Sequence, residues 1–330
     1  MSSLKLYSSF TACLLTPSFI IAGVVLPVSA QDSPVSNGYF LNGGIFETIN
    51  FLDADETMIN GINDSGEIIG LWGNDPTFLE NSFFRDADGN FSEINFPTAT
   101  ATRVEDINNL GQIVGSYLDT TGLFHGFLLD NGIFTTIDFP GASGTILTGI
   151  NDLQEVVGIF PDADRSVNSF FRNSAGDFTN IDFPGSQDTF AGGINNIGNI
   201  VGDYSDSTGL FHGFILEEDN FTSINFPTIG ETFINDINEF GDIVGTFVPE
   251  RPSSLSAKGF LLTDDIFTTI DFPGAISTFA RGINNSGEIV GAYKRSPEPS
   301  IILGILTTIG LGVFLLKPSK SAEKELEKVS

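Results

Sequence analysis

The phrase Ile62-Asn63-Asp64-Ser65-Gly66-Glu67-Ile68-Ile69-Gly70-Leu71-Trp72 is the first of six similar copies in this chain. Each copy has an Ile-Asn dipeptide, a polar turn, an aliphatic pair, a Gly, and an aromatic residue two positions later. The Asn residues lie 45, 43, 44, 43 and 46 residues apart, at Asn63, Asn108, Asn151, Asn195, Asn238 and Asn284. This period, without a helical pattern, is typical of a β-propeller blade. The sequence therefore predicts an all-β fold, a six-bladed β-propeller of four-stranded antiparallel blades.

A second repeated phrase supplies the outermost strand of each blade. One copy is Phe134-Thr135-Thr136-Ile137-Asp138-Phe139-Pro140, in which apolar and polar residues alternate until Pro. Such alternation indicates a β-strand, and Pro cannot continue a ladder. A short Gly-Phe-Leu strand precedes this phrase, and we place the strand that ends in Ile-Asn innermost. One turn carries Gln154 in place of Gly, so we expect it to be strained or differently shaped.

The two ends of the repeat array are complementary. Residues 38–41 and 46–51 have the pattern of the two outer strands of a blade, whereas residues 278–284 and 288–293 have that of the two inner strands. Together they would form a sixth blade shared by the N- and C-terminal strands. The propeller is thus predicted to span residues 38–293, with no sheet edge left open at the joint.

The chain is strongly acidic, with 42 Asp and Glu residues against 14 Lys and Arg and a formal net charge of -28. A surface of this sign repels phosphate backbones, so no nucleic acid is expected as a partner. Cations or neutral sugars suit it better. The single cysteine, Cys13, excludes a disulfide framework.

The N-terminus has the features of a signal peptide over residues 1–30, followed by a linker over residues 31–37. Lys5 precedes an apolar stretch, and Val28-Ser29-Ala30 matches the small residues that a signal peptidase accepts. We therefore expect export and cleavage after Ala30, with an uncleaved anchor as the alternative.

The C-terminus is predicted to hold a linker over residues 294–300, a transmembrane helix over residues 301–316 and a basic cytoplasmic tail over residues 317–330. The apolar segment is uncharged, and Lys317, Lys320, Lys324 and Lys328 follow it. Sixteen residues make a helix of about 24 Å, short of the ~30 Å hydrocarbon core, although lysine side chains extend the reach. Lysines on the cytoplasmic side agree with the positive-inside tendency.

This C-terminal arrangement resembles the PEP-CTERM sorting signal of exported bacterial proteins. The motif is Pro297-Glu298-Pro299, and a short apolar helix and a basic tail follow it in the same order as in that family. The tail is longer and richer in Glu than the compact Arg cluster usual there, which leaves open whether the helix is cleaved or retained. The resemblance implies handling by an exosortase-type membrane protease and a link to extracellular polysaccharide.

The repeats over residues 38–293 resemble the HAF-type extracellular repeat. Shared features are the Gly-Ile-Asn phrase, a turn, an aliphatic pair with Gly, and a His- or Gly-Phe-Leu strand. The resemblance implies a secreted bacterial repeat domain and brings no catalytic residues with it.

Candidate ligand-binding residues are those where the copies differ near the predicted central channel. Three residues before each phrase Asn the copies diverge, and at the next position Asp replaces Gly twice. The candidates are Asn60, Glu105, Asp106, Asn235, Asp236 and Arg281. A carboxylate pair at a channel mouth suits acid–base work on a glycoside. The alternative is that a solvent-facing position varies freely, and no catalytic residue is assigned.

Metal chemistry has weaker support in the sequence. Asp86-Ala87-Asp88-Gly89 alternates carboxylates before a Gly, as calcium loops do, but no distal Glu completes a ligand set. Asp86 and Asp88 are the metal candidates, and Ca²⁺ is the one cofactor considered. His125 and His212 lie two blades apart, so neither a metal pair nor a Ser-His-Asp triad is expected from them.

These features favour an exported, surface-associated propeller that acts as a non-catalytic binding or extracellular-matrix module. Its expected partners are the membrane, through the C-terminal helix, an exosortase-type protease, and a polysaccharide or surface protein. A carbohydrate-active enzyme with an acidic site at the channel mouth is the first alternative. An extracytoplasmic protein-interaction domain is the second.

Overall fold

The structure, a computed structural model, describes residues 35–74, 81–161, 166–228, 230–249 and 256–295. The predicted signal peptide, the Pro297–Pro299 motif, the apolar segment 301–316 and the basic tail lie outside these residues. Within the described ranges, no helix has the length and hydrophobicity needed to cross a membrane.

The described residues form twenty-four β-strands and confirm the all-β prediction. In chain order the strands are β1 (Val35–Asn42), β2 (Ile45–Ile49), β3 (Glu56–Ile62), β4 (Ile68–Gly73), β5 (Asn81–Arg85), β6 (Phe91–Ile94), β7 (Ala101–Ile107), β8 (Ile113–Leu118), β9 (Phe124–Asp130), β10 (Ile133–Ile137), β11 (Ile146–Ile150), β12 (Val156–Pro161), β13 (Val167–Arg172), β14 (Phe178–Ile181), β15 (Asp188–Ile194), β16 (Ile200–Ser205), β17 (Phe211–Glu217), β18 (Asn220–Ile224), β19 (Gly230–Ile237), β20 (Ile243–Pro249), β21 (Lys258–Thr263), β22 (Ile266–Ile270), β23 (Ser277–Ile283) and β24 (Ile289–Arg295).

These strands pair into six four-stranded antiparallel sheets, the predicted blades of a propeller. Blades 1 to 5 are β3–β6, β7–β10, β11–β14, β15–β18 and β19–β22, each in sequence order from the innermost strand outward. Blade 6 has the order β23-β24-β1-β2. In every blade, the turns between the first and second strands and between the third and fourth strands lie on one face of the ring.

Blade 6 closes the ring as the sequence predicts. β1 pairs antiparallel with β24, from Val35 opposite Arg295 to Leu41 opposite Ile289. The N-terminal strand β1 therefore lies between the C-terminal strand β24 and its own neighbour in sequence, β2. The paired strands extend slightly beyond residues 38–293, because β1 begins at Val35 and β24 ends at Arg295.

A buried Thr near the start of each innermost strand anchors the link that precedes it, which is the segment joining this strand to the outermost strand of the preceding blade. Its hydroxyl oxygen accepts a hydrogen bond of 2.9–3.0 Å from the backbone N–H of a Phe six residues earlier. The six pairs are Thr57 with Phe51, Thr102 with Phe96, Thr145 with Phe139, Thr189 with Phe183, Thr232 with Phe226 and Thr278 with Phe272. Because the same bond recurs in every blade, it fixes how each link enters its blade.

The aromatic residue of each phrase stacks on that same Phe. Ring centroids are 3.6 Å apart for Phe96 and Tyr117, and the other five pairs lie between 3.6 and 4.7 Å. Near-parallel stacked rings add to the free energy of burying the aromatic surface. The aromatic position of the repeat therefore joins one blade to the link before it.

The Gly of each phrase is required by close packing. A Cβ atom at Gly70 would lie 2.3 Å from the carbonyl oxygen of Met58 and 2.7 Å from the ring of Phe83, which is fully buried. Real Cβ atoms do not approach other atoms so closely, so only Gly lets the third-strand Phe reach the centre of the blade.

Candidate functional site at the channel mouth

The six phrase Asn side chains form a closed hydrogen-bonded ring at the inner ends of the blades. Each Nδ2 donates to the backbone carbonyl of the equivalent Asn in the next blade, at 2.9–3.3 Å, and Asn284 returns to Asn63. All six side chains are buried. Each Oδ1 also accepts the N–H four residues later, which shapes the turn. The repeated Ile-Asn phrase is thus the scaffold of the channel.

The residues that follow these Asn form a second closed ring, which we call the rim ring. Each side-chain oxygen accepts the backbone N–H of the rim residue in the preceding blade, at 2.7–3.0 Å. The members alternate between carboxylates and amides, in the order Asp64, Asn109, Asp152, Asn196, Glu239 and Asn285. Carboxylates therefore occupy blades 1, 3 and 5, and amides occupy blades 2, 4 and 6.

Amide side chains of the rim ring hold two of its carboxylates, Asp64 and Asp152, in place, while Glu239 is held by the backbone N–H of Asn196. Asn285 donates from Nδ2 to Asp64 at 2.7 Å, and Asn109 and Asn196 donate to Asp152 at 3.2 and 3.0 Å. Burial and the charges of Asp152 and Asp64 raise the pKa of Glu239. The three acids are thus fixed in position and close enough to sense one another.

In every blade the residue three positions before the phrase Asn occupies a β-bulge on the innermost strand, and four of the six candidates stand at this position. In blade 1 the register shifts between Ile59 and Gly61, which leaves Asn60 as the extra residue, and equivalent shifts occur in all six blades. The bulged residues are Asn60, Glu105, Thr148, Gly192, Asn235 and Arg281. A bulge redirects its side chain and frees it from ladder pairing. This explains why the position varies between copies.

Three candidates on adjacent blades form one network. Arg281 Nη1 donates to Asn60 Oδ1 at 3.4 Å, and Asn60 Nδ2 lies 3.4 Å from Glu105 Oε2. Glu105 also lies 3.8 Å from the guanidinium of Arg103. Burial lowers the pKa of Arg281 to about 10 and raises that of Glu105, while their mutual attraction opposes both shifts. The geometry indicates a polar network in which the carboxylate of Glu105 interacts with two arginines, Arg103 and Arg281.

Asn235 has a bridging role that two other bulged residues share. Its Nδ2 donates to the carbonyl of Ala280 in the next blade. Asn60 donates in the same way to Val104, and Thr148 to Ala191, each at 2.8 Å. These bonds join blade 1 to 2, 3 to 4 and 5 to 6.

Asp106 and Asp236 line the same pocket from opposite blades of the ring, blades 2 and 5. Asp106 accepts N–H bonds from Ile107 and from Ile150 in the next blade, at 2.8 and 2.9 Å. Asp236 accepts from Ile237 and Ile283 at the same distances. Burial and the charge of Asp236 raise the pKa of Asp106, and burial raises the pKa of Asp236 to about 6.

The pocket lies at the channel mouth, among the turns that carry both rings. Its cavity volume is about 50 Å³, and the cavity opens to solvent. Among the residues that the structure describes, its lining includes five carboxylates and no basic residue; the carboxylates are Asp64, Asp106, Asp152, Asp236 and Glu239. A cationic or hydrogen-bonding group suits this mouth, and an anion does not.

The other sequence candidates lie elsewhere. Asp86 accepts hydrogen bonds from the side chain and backbone of Asn90, which hold the pKa of Asp86 below its usual range. Within the part of the chain that the structure describes, no group of three or more His, Cys, Asp or Glu residues is arranged to hold a metal ion. Asp88 is exposed on the same hairpin.

The two histidines are bound within their own blades. His125 Nδ1 lies 2.8 Å from Asp138, and its Nε2 lies 3.5 Å from Asp119. Burial alone would lower the pKa of His125, but the hydrogen bonds and charges of these two acids outweigh it and raise that pKa. His212 has equivalent contacts with Asn225 and Asp206.

Comparison with solved structures shows the propeller fold. A TolB-type structure from Agrobacterium tumefaciens superposes with a TM-score of 0.61 at 13% identity, covering 79% of this chain and 99% of that one. TolB from Acinetobacter baumannii gives a TM-score of 0.53 at 10% identity, covering 80% of this chain and 65% of that one. No protein-family model matches the chain. No curated protein matches it either.

Sequence reasoning identified Asp106 and Asp236 but missed the rim ring. The signal was present in the alternation of acid and amide directly after each phrase Asn. It was hidden because Asp and Asn are both ordinary turn residues. Only the bonds between blades show that these turns form one continuous polar rim.

Proposed function

We propose that the chain is a non-catalytic binding module that holds its ligand at the channel mouth. The observation that carries this proposal is that Asp106 and Asp236 each accept one backbone N–H from their own blade and one from the next. Their carboxylates are therefore bridges of the scaffold, and the mouth is a fixed arrangement of polar groups. Binding gains from groups that are already held in place, because little freedom is lost on association.

The same bonds disfavour acid–base catalysis. A general acid must gain and lose a proton while it contacts the substrate. In Asp106 and in Asp236 each of the two carboxylate oxygens already accepts a backbone N–H of the scaffold. The rim carboxylates have the same constraint, since each accepts the N–H of a neighbouring turn.

The proposed location is outside the cytoplasm, at the cell surface or in the extracellular matrix. Support comes from the sequence: the signal-peptide features of residues 1–30, the PEP-CTERM-like motif at Pro297-Glu298-Pro299, and the HAF-type repeat pattern. In this proposal an exosortase-type protease handles the C-terminal segment, and the ligand is a polysaccharide or a surface protein.

A carbohydrate-active enzyme is the second candidate. The observation that favours it is the pair Asp106 and Asp236, which face one pocket with raised pKa values. Glycoside hydrolysis uses a pair of carboxyl groups, one as general acid and the other as base or nucleophile.

A glycan array with the full-length protein, with and without Ca²⁺, separates the two candidates. We expect no turnover of any glycan on the array, and weaker binding of any retained glycan by the Asp64→Asn, Asp152→Asn double variant. Asn is compatible with these positions, since blades 2, 4 and 6 carry it there. Asp88→Asn removes an exposed carboxylate elsewhere and is the control. Release of shortened glycan that stops in Asp236→Asn would replace the binding proposal with the enzyme.

A further inference from the structure

Four of the six turns at the channel mouth expose a large apolar side chain. Each of these residues directly follows a member of the rim ring, in the consecutive blades 2 to 5. They are Leu110, Leu153, Ile197 and Phe240, with exposed fractions of 63, 54, 72 and 76%. Blades 1 and 6 carry Ser65 and Ser286 at the same position. We call the four apolar residues the apolar crescent.

The turn itself does not require apolar side chains. The backbone N–H of Leu110, Leu153 and Phe240 donates to the phrase Asn of its own turn at 3.0–3.1 Å. Ser65 and Ser286 make the same bond. Because Ser fills the position in two blades, the turn uses only the backbone there. Single exposed apolar residues are ordinary, but four on consecutive blades around a pocket indicate an interaction surface.

The apolar crescent borders the acidic pocket. Asp152 and Glu239 precede Leu153 and Phe240 in the same turns, and both line the pocket. No basic residue is part of this lining. A partner that covers the crescent therefore meets a concentrated negative potential at the centre of the ring, which attracts cations and repels anions.

We propose that the apolar crescent and the pocket together bind a polypeptide segment of a partner protein that carries a Lys or Arg flanked by apolar residues. The cationic side chain enters the pocket between the carboxylates, and its apolar neighbours lie on blades 2 to 5. This inference rests on the proposed function and names the partner of that same site. Apolar contact supplies affinity, while charge complementarity sets orientation and the rate of association.

Other occupants match only part of this surface. A small cation would leave the crescent exposed, and a neutral glycan brings no positive charge to the pocket. An anionic lipid surface would be repelled by the rim carboxylates. A basic, apolar peptide satisfies both features at once.

The test uses the full-length protein and a library of ten-residue peptides. Each peptide has a central Lys, and the flanking positions are drawn from Leu, Phe, Ser and Gly. A second library replaces the Lys with Gln. We expect selection of Lys peptides with Leu or Phe flanks, and a dissociation constant that rises with salt because the pocket charge is screened.

Variants of the turn that carries Glu239 and Phe240 then test whether the peptide binds at the channel mouth. Phe240→Ser should weaken binding of the selected peptide about tenfold or more, since burial of a Phe side chain is lost. Glu239→Gln should weaken it and flatten its salt dependence. Leu210→Ser removes an exposed apolar residue from the opposite face and should change nothing.

The outcomes separate this inference from the proposed function. Equal binding of Lys and Gln peptides, or binding insensitive to both Phe240→Ser and Glu239→Gln, would overturn the basic-peptide partner. Binding of a neutral oligosaccharide, but of no peptide, at a site sensitive to Glu239→Gln would overturn it and leave the binding module standing. If no probe of either class responds to the mouth variants, both proposals fail.

Discussion

A single amide in each blade both shapes a turn and joins two blades. Asn63 accepts the N–H of Ser65 and Glu67 through Oδ1, while its Nδ2 donates to the carbonyl of Asn108. No other side chain of this size supplies an acceptor and two donors in one plane. This explains at the level of chemistry why the copies vary around the Asn but retain it.

Gln154 shows the cost of departing from the repeat. It takes φ +61°, close to the +77° of Gly66, and closes the same turn hydrogen bond. The turn is thus strained, as predicted, but not differently shaped. The left-handed conformation costs a non-Gly residue about 1–2 kcal/mol. Replacement by Gly removes this cost, but the greater conformational freedom of Gly in the unfolded chain offsets about half of the gain.

We therefore expect Gln154→Gly to raise the free energy of unfolding by about 0.5–1 kcal/mol and the melting temperature by about 2 °C. Gly66→Ala should lower stability by a similar amount, since a Cβ there meets no atom within 4 Å and only the backbone strain acts. Thermal unfolding by circular dichroism measures both. A destabilised Gln154→Gly protein would show that the Gln side chain has a role of its own.

Asp236 should make stability depend on pH. Because its pKa is raised from 3.8 to about 6 in the folded state, the proton is held more tightly there than in the unfolded chain. The resulting stabilisation is complete below about pH 4 and is lost as pH rises through about 6.

In Asp236→Asn this loss is absent. The stability of the variant relative to the wild type should therefore increase between pH 4 and pH 7, which melting curves at each pH would show. Asp88→Asn, which removes an exposed carboxylate on an outer hairpin, is measured beside it as the control. A stability difference between Asp236→Asn and the wild type that does not change with pH would contradict the assignment.

At the scale of the strand, aromatic stacking between each blade and the link that precedes it stabilises the fold. In blades 2, 4 and 6 the stacked residue is Tyr, whose hydroxyl bonds to Thr136, Ser223 or Thr48 of the outermost strand at 3.0–3.2 Å. Blade 5 has Phe247 instead, stacked at 3.7 Å on Phe226. Its outermost strand carries Thr269 at the equivalent position.

We expect Phe247→Ala to cost about 3–5 kcal/mol through the lost stack and the cavity left behind. Phe247→Tyr should be neutral or stabilising by up to about 1 kcal/mol, because its hydroxyl reaches Thr269. Denaturant unfolding checks both, and Thr269→Val should remove any gain. A large loss in Phe247→Tyr would show that the blades are not interchangeable at this position.

A feature of the fold or of the site could be predicted from the sequence when the residues that cause it follow a local, repeated pattern. The strands and the turn at Gly66 follow from the repeated pattern, since each rests on residues near one another in sequence. The shared sixth blade joins distant residues, but it follows from the two strands left over at each end of the repeat array. The bond from Asp106 to the N–H of Ile150 does not, because it depends on the register between two blades. The bulge at Asn60 was likewise hidden, since only Gly61 and Ile62 follow it in β3, too few residues to show that the alternating pattern has changed phase.

At the scale of the whole molecule, the ring is closed by its own ends. β1 contributes the fully buried Tyr39 to the core of blade 6 and pairs with β24 along its length. Removal of residues 38–51 should leave β24 as an open edge and abolish cooperative unfolding of the whole propeller. Calorimetry measures this directly. A truncated chain that still melts in one transition near the wild-type temperature would contradict closure by the shared blade.

The central claim is that ligand binds at the channel mouth, and hydrogen–deuterium exchange tests it most directly. The full-length protein is measured alone and with the Lys peptide library or a neutral oligosaccharide mixture. We expect slower exchange in the mouth turns around Asp64, Asn109, Asp152, Asn196, Glu239 and Asn285. Protection confined to the opposite face, around Asp119 and Asp206, would contradict it.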